Sequence, residues 1–103
     1  MNLRLALCNC SQDEARELAG RLVEENLAAC VNILDGITSV YRWEGEVCRD
    51  SETTLLIKTT AERYGEMEQK LAEYHSYDVP EIIGLDSADV LDAYAEWVHD
   101  QVR

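Results

Sequence analysis

The feature that most constrains this chain is a pair of long strand-like arms at its middle. From Cys30 to Trp43 the residues are β-branched, aromatic or apolar at Val31, Ile33, Ile37, Val40, Tyr41 and Trp43, types that suit a pleated surface. Asp35-Gly36 interrupts the run as a bulge or bend. Glu44-Gly45 predicts a reversal, and a return arm runs from Glu46 through Ser51 to Thr60. Two such arms about a tight turn predict a long antiparallel hairpin. The first arm, fully extended, spans roughly 46 Å at about 3.3 Å per residue. A globule of 103 residues has a diameter of roughly 33 Å. The hairpin outruns its own domain, and its tip carries Tyr41 and Trp43 into water. A lone two-stranded ribbon is only marginally stable, so the tip is expected to pack on other copies of the chain. The competing arrangement folds the tip back at Asp35-Gly36 onto the chain's own sheet.

The flanking segments give the rest of the fold. Leu3, Leu5 and Leu7 alternate with Arg4, Ala6 and Cys8, which predicts a first strand ending at Asn9-Cys10-Ser11. Ser11 with Glu14 fits a capping box. The helix that follows has Ala15, Leu18, Ala19, Leu22 and Val23 on one face and ends near Asn26. Thr59 or Thr60 caps a second helix, striped by Tyr64, Met67 and Leu71 and ending around Tyr74-His75. Val79 to Leu85 reads as a strand, with Pro80 at its start or on an edge because proline cannot donate to a ladder. Ser87 or Asp89 is expected to cap a last helix with Val90, Leu91, Tyr94 and Val98 on one face and Trp97 beside them. The order β-α-β-β-α-β plus a terminal helix is the split βαβ, ferredoxin-like α+β arrangement. Helices would cover one sheet face and leave the other open, a second reason to self-associate. With one proline and no low-complexity run, residues 1–103 are expected to form a single domain.

Charge excludes one class of partner. Twenty-one acidic residues against nine basic ones give a formal net charge of −12. Without a basic stripe the chain cannot displace counterions from phosphates, so nucleic acid is not expected as a partner. Neither a membrane span nor a signal peptide is legible, and a cytoplasmic location with reduced cysteines is expected. Cys8, Cys10, Cys30 and Cys48 contain no C-x-x-C pair. Gly-rich phosphate loops, H-E-x-x-H and G-x-S-x-G are also absent from the sequence, which points away from an enzyme.

A few residues stand out chemically. Lys58, one of two lysines, sits in the apolar run Leu55-Leu56-Ile57-Lys58-Thr59. It either snorkels at an edge or meets a carboxylate, with Glu81, Glu52 and Glu44 as candidate partners and Lys58–Glu81 as a candidate acid–base pair. Cys8 and Cys10 place two thiols on one strand face, either as small hydrophobes or as soft-metal ligands. His75 keeps company with Tyr77, Asp78 and Glu81. His99 reads as a solvated residue.

Several stretches together resemble the CutA divalent-cation-tolerance family. They are Leu27-Ala28-Ala29-Cys30-Val31-Asn32-Ile33, then Gly36, Ser39, Tyr41, Trp43 and Glu44-Gly45, then Glu52 and Leu56-Ile57-Lys58-Thr59, then His75-x-Tyr77-x-x-Pro80-Glu81 and Tyr94-x-x-Trp97. The resemblance spans nearly the whole chain. It implies a ferredoxin-like fold, a homotrimer in which the hairpins pair across subunits, and binding of divalent metal, copper especially, in metal tolerance. The implied metal ligands map to Cys8 and His75; a further family histidine falls on Tyr74, a departure, and Ser76 stands where the family often has proline. The implied inter-subunit cleft maps to Tyr41, Trp43, Lys58 and Glu81, a mixture of rings, one cation and one carboxylate that suits a small anion or metabolite as well as a metal. Similarity in architecture to the trimeric PII signalling proteins makes a PII-like module, holding a small metabolite or a protein partner, the alternative function.

Overall fold

A computed structural model describes residues 2–103. The elements run β1 (Leu3–Cys10), α1 (Gln12–Glu24), β2 (Cys30–Trp43), β3 (Glu46–Thr60), α2 (Ala61–Tyr74), β4 (Ile82–Asp86) and α3 (Asp92–Gln101). The four strands form one antiparallel sheet in the order β2-β3-β1-β4. This is the ferredoxin-like α+β arrangement expected from the sequence.

Alternation along β1 and β3 decides what the sheet buries. Ala6, Cys8 and Cys10 pair across from Ile57, Leu55 and Thr53, and all six are fully buried. Over them pack Ala15, Leu18 and Leu22 of α1 and Tyr64, Met67 and Leu71 of α2. Burying each large aliphatic side chain contributes about 1.5–3 kcal/mol. Gly84 of β4 sits under α2, where a Cβ would meet the Tyr64 ring at 2.8 Å. At the start of α1, Glu14 reaches back to the Ser11 N–H at 3.2 Å and accepts from its hydroxyl at 2.8 Å. Val23, expected on the buried face of α1, is exposed.

The C-terminal third departs from the sequence reading. β4 begins at Ile82, so Val79 and Pro80 lie in the preceding loop. Neither Ser87 nor Asp89 caps α3; the position before its first residue is Leu91, which is exposed. Ser87 is engaged elsewhere, its hydroxyl accepting from the Leu3 N–H at 3.0 Å and its own N–H donating to the Leu3 carbonyl at 3.0 Å. Ala95, Val98 and Val102 bury against Leu3 and Ala29. Leu3 alternates with Arg4 and Ala6, so α3 closes one end of the face that α1 and α2 leave open.

The hairpin is as long as expected. Its register runs from Cys30↔Lys58 to Leu34↔Thr54, then from Ile37↔Glu52 to Trp43↔Glu46. Asp35 and Gly36 therefore oppose Thr53 alone, a bulge in which Gly36 takes φ 72°. Thr53 Oγ1 donates to Asp35 Oδ1 at 3.1 Å and steadies it. Below the bulge, Cys30, Asn32 and Leu34 point to the open face; above it, Ile37, Ser39, Tyr41 and Trp43 do. Glu44 (φ 50°) and Gly45 (φ 82°) make the two-residue turn, whose positive φ values suit a twisted hairpin. The chain measures 45 × 26 × 22 Å. Trp43 remains 61% exposed at the tip, and Leu34, Ile83 and Leu85 are about half exposed on the open face.

Candidate functional site

A cavity of about 740 Å³ opens between the outer hairpin and the loop joining α2 to β4. β2 contributes the rings of Tyr41 and Trp43, and the loop contributes Tyr77 and Val79. Because side chains alternate along a strand, the cross-strand partners on the same face of β3 include Asp50 and Glu52, which also line it. Asp78 and Glu81 complete the acidic edge, with Asn9 at the end of β1.

Neutral donors hold three of these four carboxylates in place. The Tyr41 hydroxyl donates to Asp50, the Tyr77 hydroxyl to Glu52 at 2.9 Å, and Asn9 Nδ2 to Glu81 at 3.3 Å. Thr54 Oγ1 fixes Asn9 in turn, donating to its Oδ1 at 2.7 Å. The bond to Asp50, with partial desolvation, pushes the Tyr41 phenol up to about 12. Desolvation and the bond to Glu52 raise that of Tyr77. Among the described residues, no lysine or arginine lines the cleft. Among the described residues none of its four carboxylates is in an ion pair.

Below the cleft, Cys8 and His75 meet at one carbonyl. The Cys8 thiol donates to Asn9 O at 3.7 Å, and His75 Nε2 lies 2.9 Å from the same oxygen. His75 Nδ1 accepts from the Tyr77 N–H at 3.1 Å, so the proton sits on Nε2. The His75 ring is buried and tilts against Tyr77 with centroids 4.6 Å apart. Burial, and then the field of Cys10 and nearby acids, pushes the Cys8 thiol up to about 12; burial likewise lifts Cys10 to about 11. Ser76 ties the loop to α1, donating to Glu14 from its N–H at 3.1 Å and its hydroxyl at 2.7 Å. Tyr74 turns away from this corner, its hydroxyl on Glu25 at 2.5 Å and Arg21 over its ring at 3.4 Å. No group of three His, Cys, Asp or Glu side chains is arranged to hold a metal ion among the described residues.

Of the cleft residues read from the sequence, Tyr41, Trp43 and Glu81 come together in one chain. Lys58 stands apart: it pairs with Leu5, while Glu81 bonds Asn9, four residues further along β1. Its ammonium neither snorkels free nor meets a carboxylate; it donates to Asn32 Oδ1 and lies 3.9 Å from Cys30 Sγ. Asp50 and Asn9 were not singled out from the sequence. The signal for Asp50 was its two-residue spacing from Glu52 on a strand; Asn9 had none. His99 is also not simply solvated: its Nε2 is buried without a partner, and Nδ1 lies 4.0 Å from Glu62.

A sheet in the order β2-β3-β1-β4 with helices on one face and a long overhanging hairpin defines a ferredoxin-like α+β protein, here with an acidic, ring-walled cleft at its side. The chain belongs to the CutA1 family, whose model, described as CutA1 divalent ion tolerance protein, matches residues 4–101. It is 46% identical over 90 residues to the divalent-cation tolerance protein CutA of Thermus thermophilus, covering 87% of both chains. It superposes with TM-score 0.95 on the divalent ion tolerance protein CutA1 of Ehrlichia chaffeensis at 33% identity, covering 99% of this chain and 96% of that one. It also resembles the PII-like protein CutA from Nostoc sp. PCC 7120 in apo form, with TM-score 0.92, 31% identity and 97% of each chain covered. The chain spans about half the length of the chloroplastic relatives it matches in Arabidopsis thaliana and rice. The family is one of divalent-cation tolerance proteins and not a known family of enzymes. No helix among the described residues is long and apolar enough to cross a membrane.

Proposed function

We propose that this chain acts in metal tolerance as a cytoplasmic, non-catalytic homotrimer of single 103-residue domains that binds copper or another divalent ion. Family membership supports the tolerance role. The observation that carries the assembly is the hairpin tip, where Trp43 is 61% exposed above an open sheet face bearing Leu34, Ile83 and Leu85. Packing these surfaces on sister chains removes apolar area from water at about 25 cal/mol per Å².

Cys8 and His75 are the proposed metal ligands, and their contact with the same Asn9 carbonyl oxygen supports their pairing. Engaging a metal requires His75 to leave the Asn9 carbonyl and Cys8 to lose its proton, so binding releases protons and strengthens as pH rises. Calorimetric titration with Cu(II) and Zn(II) tests this. Saturable binding weakened in Cys8→Ser and His75→Ala supports the site; binding indifferent to both moves it elsewhere. Light scattering coupled to size exclusion tests the trimer, and a mass near 11.7 kDa refutes it.

A second reading has a specific observation in its favour. The cleft of about 740 Å³ walled by Tyr41, Trp43 and Tyr77 has the size and lining of a small-molecule site. On this reading the chain is a PII-like module whose cleft lies where subunits meet and holds a small metabolite. Absence of saturable metal binding favours it.

A further inference from the structure

We infer that the Cys8–His75 pair selects monovalent copper over divalent ions, holding Cu(I) between one thiolate sulfur and one imidazole nitrogen, and that Tyr74 sets this choice by withholding a third ligand. The inference rests on the first reading above, that Cys8 and His75 bind metal, and names the ion they suit. Cys8 is fully buried, as is the His75 side chain, and both are buried within a single chain. Sister subunits packing on the cleft or on the open face therefore cannot reach either donor, and this corner can be read from one chain. The other donors around it are committed. The Tyr74 hydroxyl is on Glu25 at 2.5 Å, with Arg21 stacked on its ring at 3.4 Å. Glu14 accepts from the N–H and the hydroxyl of both Ser11 and Ser76. The Tyr77 hydroxyl is on Glu52. Cys10 lies on the same strand face as Cys8, yet among the described residues no three His, Cys, Asp or Glu side chains form a cluster.

Coordination chemistry then selects the ion. Zn(II) favours four ligands in a tetrahedron, and Cu(II) favours a tetragonal set of nitrogen and oxygen donors. Two buried side chains supply neither. Cu(I) is a soft, closed-shell ion that takes thiolate and is satisfied by two ligands. Charge agrees with this choice. One thiolate neutralises Cu(I), whereas a divalent ion would keep a positive charge in a dry corner. Glu14 lies 4.0 Å from His75 Nδ1, but its oxygens already serve the Ser11 and Ser76 donors. To bind through Nε2, His75 leaves the Asn9 carbonyl and the Tyr77 N–H and carries its proton on Nδ1, facing Glu14. The one proton released is that of the Cys8 thiol.

X-ray absorption on the intact protein with one equivalent of Cu(I), loaded without oxygen, tests this. A two-coordinate shell of one sulfur and one nitrogen is expected, lost in Cys8→Ser and in His75→Ala. Competition with a chromophoric Cu(I) chelator, and calorimetry with Zn(II) and Cu(II), give the affinities. Both divalent ions are expected to bind at least about a hundredfold more weakly than Cu(I), the scale of one uncompensated buried charge. Tyr74→His is expected to narrow that gap for Zn(II) by about tenfold or more; an unchanged gap removes Tyr74 from the choice. Should a variant fail to fold, the shell and the affinity gap of the unaltered protein still decide. Zn(II) or Cu(II) binding as tightly as Cu(I), and lost in Cys8→Ser, keeps the metal site but overturns the selection. A shell of sulfur alone puts Cu(I) on other thiols and overturns it too. If none of the three ions binds to protein of native circular dichroism, this inference and the metal reading both fall.

Discussion

His75 Nε2 lies 2.9 Å from the carbonyl oxygen of Asn9, joining the loop after α2 to the last residues of β1. With Nδ1 accepting from the Tyr77 N–H, the ring uses both nitrogens to hold one wall of the cleft. His75→Ala is therefore expected to cost about 1–3 kcal/mol, the range for stranding buried polar partners. Urea denaturation of the two proteins measures it. Nitrogen NMR of the imidazole is expected to report the Nε2–H tautomer in the neutral ring, and the opposite tautomer would contradict the bonding described.

The Cys8 and Cys10 thiols, lifted to about 12 and about 11 by burial, are expected to be inert in the native state. At pH 8 a thiol of pKa about 12 is ionised to about one part in ten thousand, and the thiolate is the reactive form. Titration with a chromogenic disulfide is expected to modify at most Cys30 and Cys48 quickly. All four cysteines, which are free, are expected to react once the protein is unfolded. Rapid native reaction at Cys8, read by mass spectrometry, would contradict this.

Gly84 has no room for a side chain, since its Cβ would meet the Tyr64 ring at 2.8 Å. Gly84→Ala is expected to destabilise by about 1–3 kcal/mol through overpacking. Gly65, within α2 and facing open space, supplies the contrast: Gly65→Ala is expected to stabilise by about 0.5–1 kcal/mol. Thermal melts of both variants check the pair of signs.

Ile83 points from β4 to the open face and is about half exposed. Ile83→Glu is expected to leave the circular dichroism of the chain intact while reducing its mass in solution. An unchanged assembly in this variant would place the subunit contact away from this face.

Burial alone would raise the Glu14 carboxyl, but hydrogen bonds from Ser76 and Ser11 outweigh it and hold Glu14 below its ordinary value. A depressed carboxyl contributes stability that is present above its unfolded pKa, about 4.3, and is lost as pH falls through the folded one. The urea midpoint is therefore expected to fall below about pH 4. Glu14→Gln should flatten that part of the profile. Identical profiles would remove Glu14 from the acid transition.

The parts of the fold legible in sequence are those written in periodic patterns. Leu3, Leu5 and Leu7 set the first strand, Ala15, Leu18 and Leu22 the first helix, and the run from Cys30 to Thr60 the hairpin. What failed were assignments decided by contacts distant in the chain. Ser87 is a good cap by composition, yet Leu3 claims it from the other end of the molecule. Lys58 has acids at suggestive spacings, yet the pairing of β2 with β3 sets it beside Cys30 and Asn32. The aromatic and acidic residues of the cleft could be placed on strand faces, but nothing local said that the loop from Tyr77 to Glu81 would come across to meet them.

The extra residue at Asp35-Gly36 decides which side chains reach that loop. Were both residues to take ordinary strand positions, the outer half of β2 would turn over: Val40 and Arg42 would swing in, and the rings of Tyr41 and Trp43 would swing out. The cleft's chemistry is thus written upstream of the residues that line it, as a counting rule in the strand. Deleting Gly36 would leave Leu34 and Ile37 two places apart and keep the rings on their face, whereas straightening the bulge at full length would exchange an aromatic wall for one carrying a positive charge, with no substitution at any lining position.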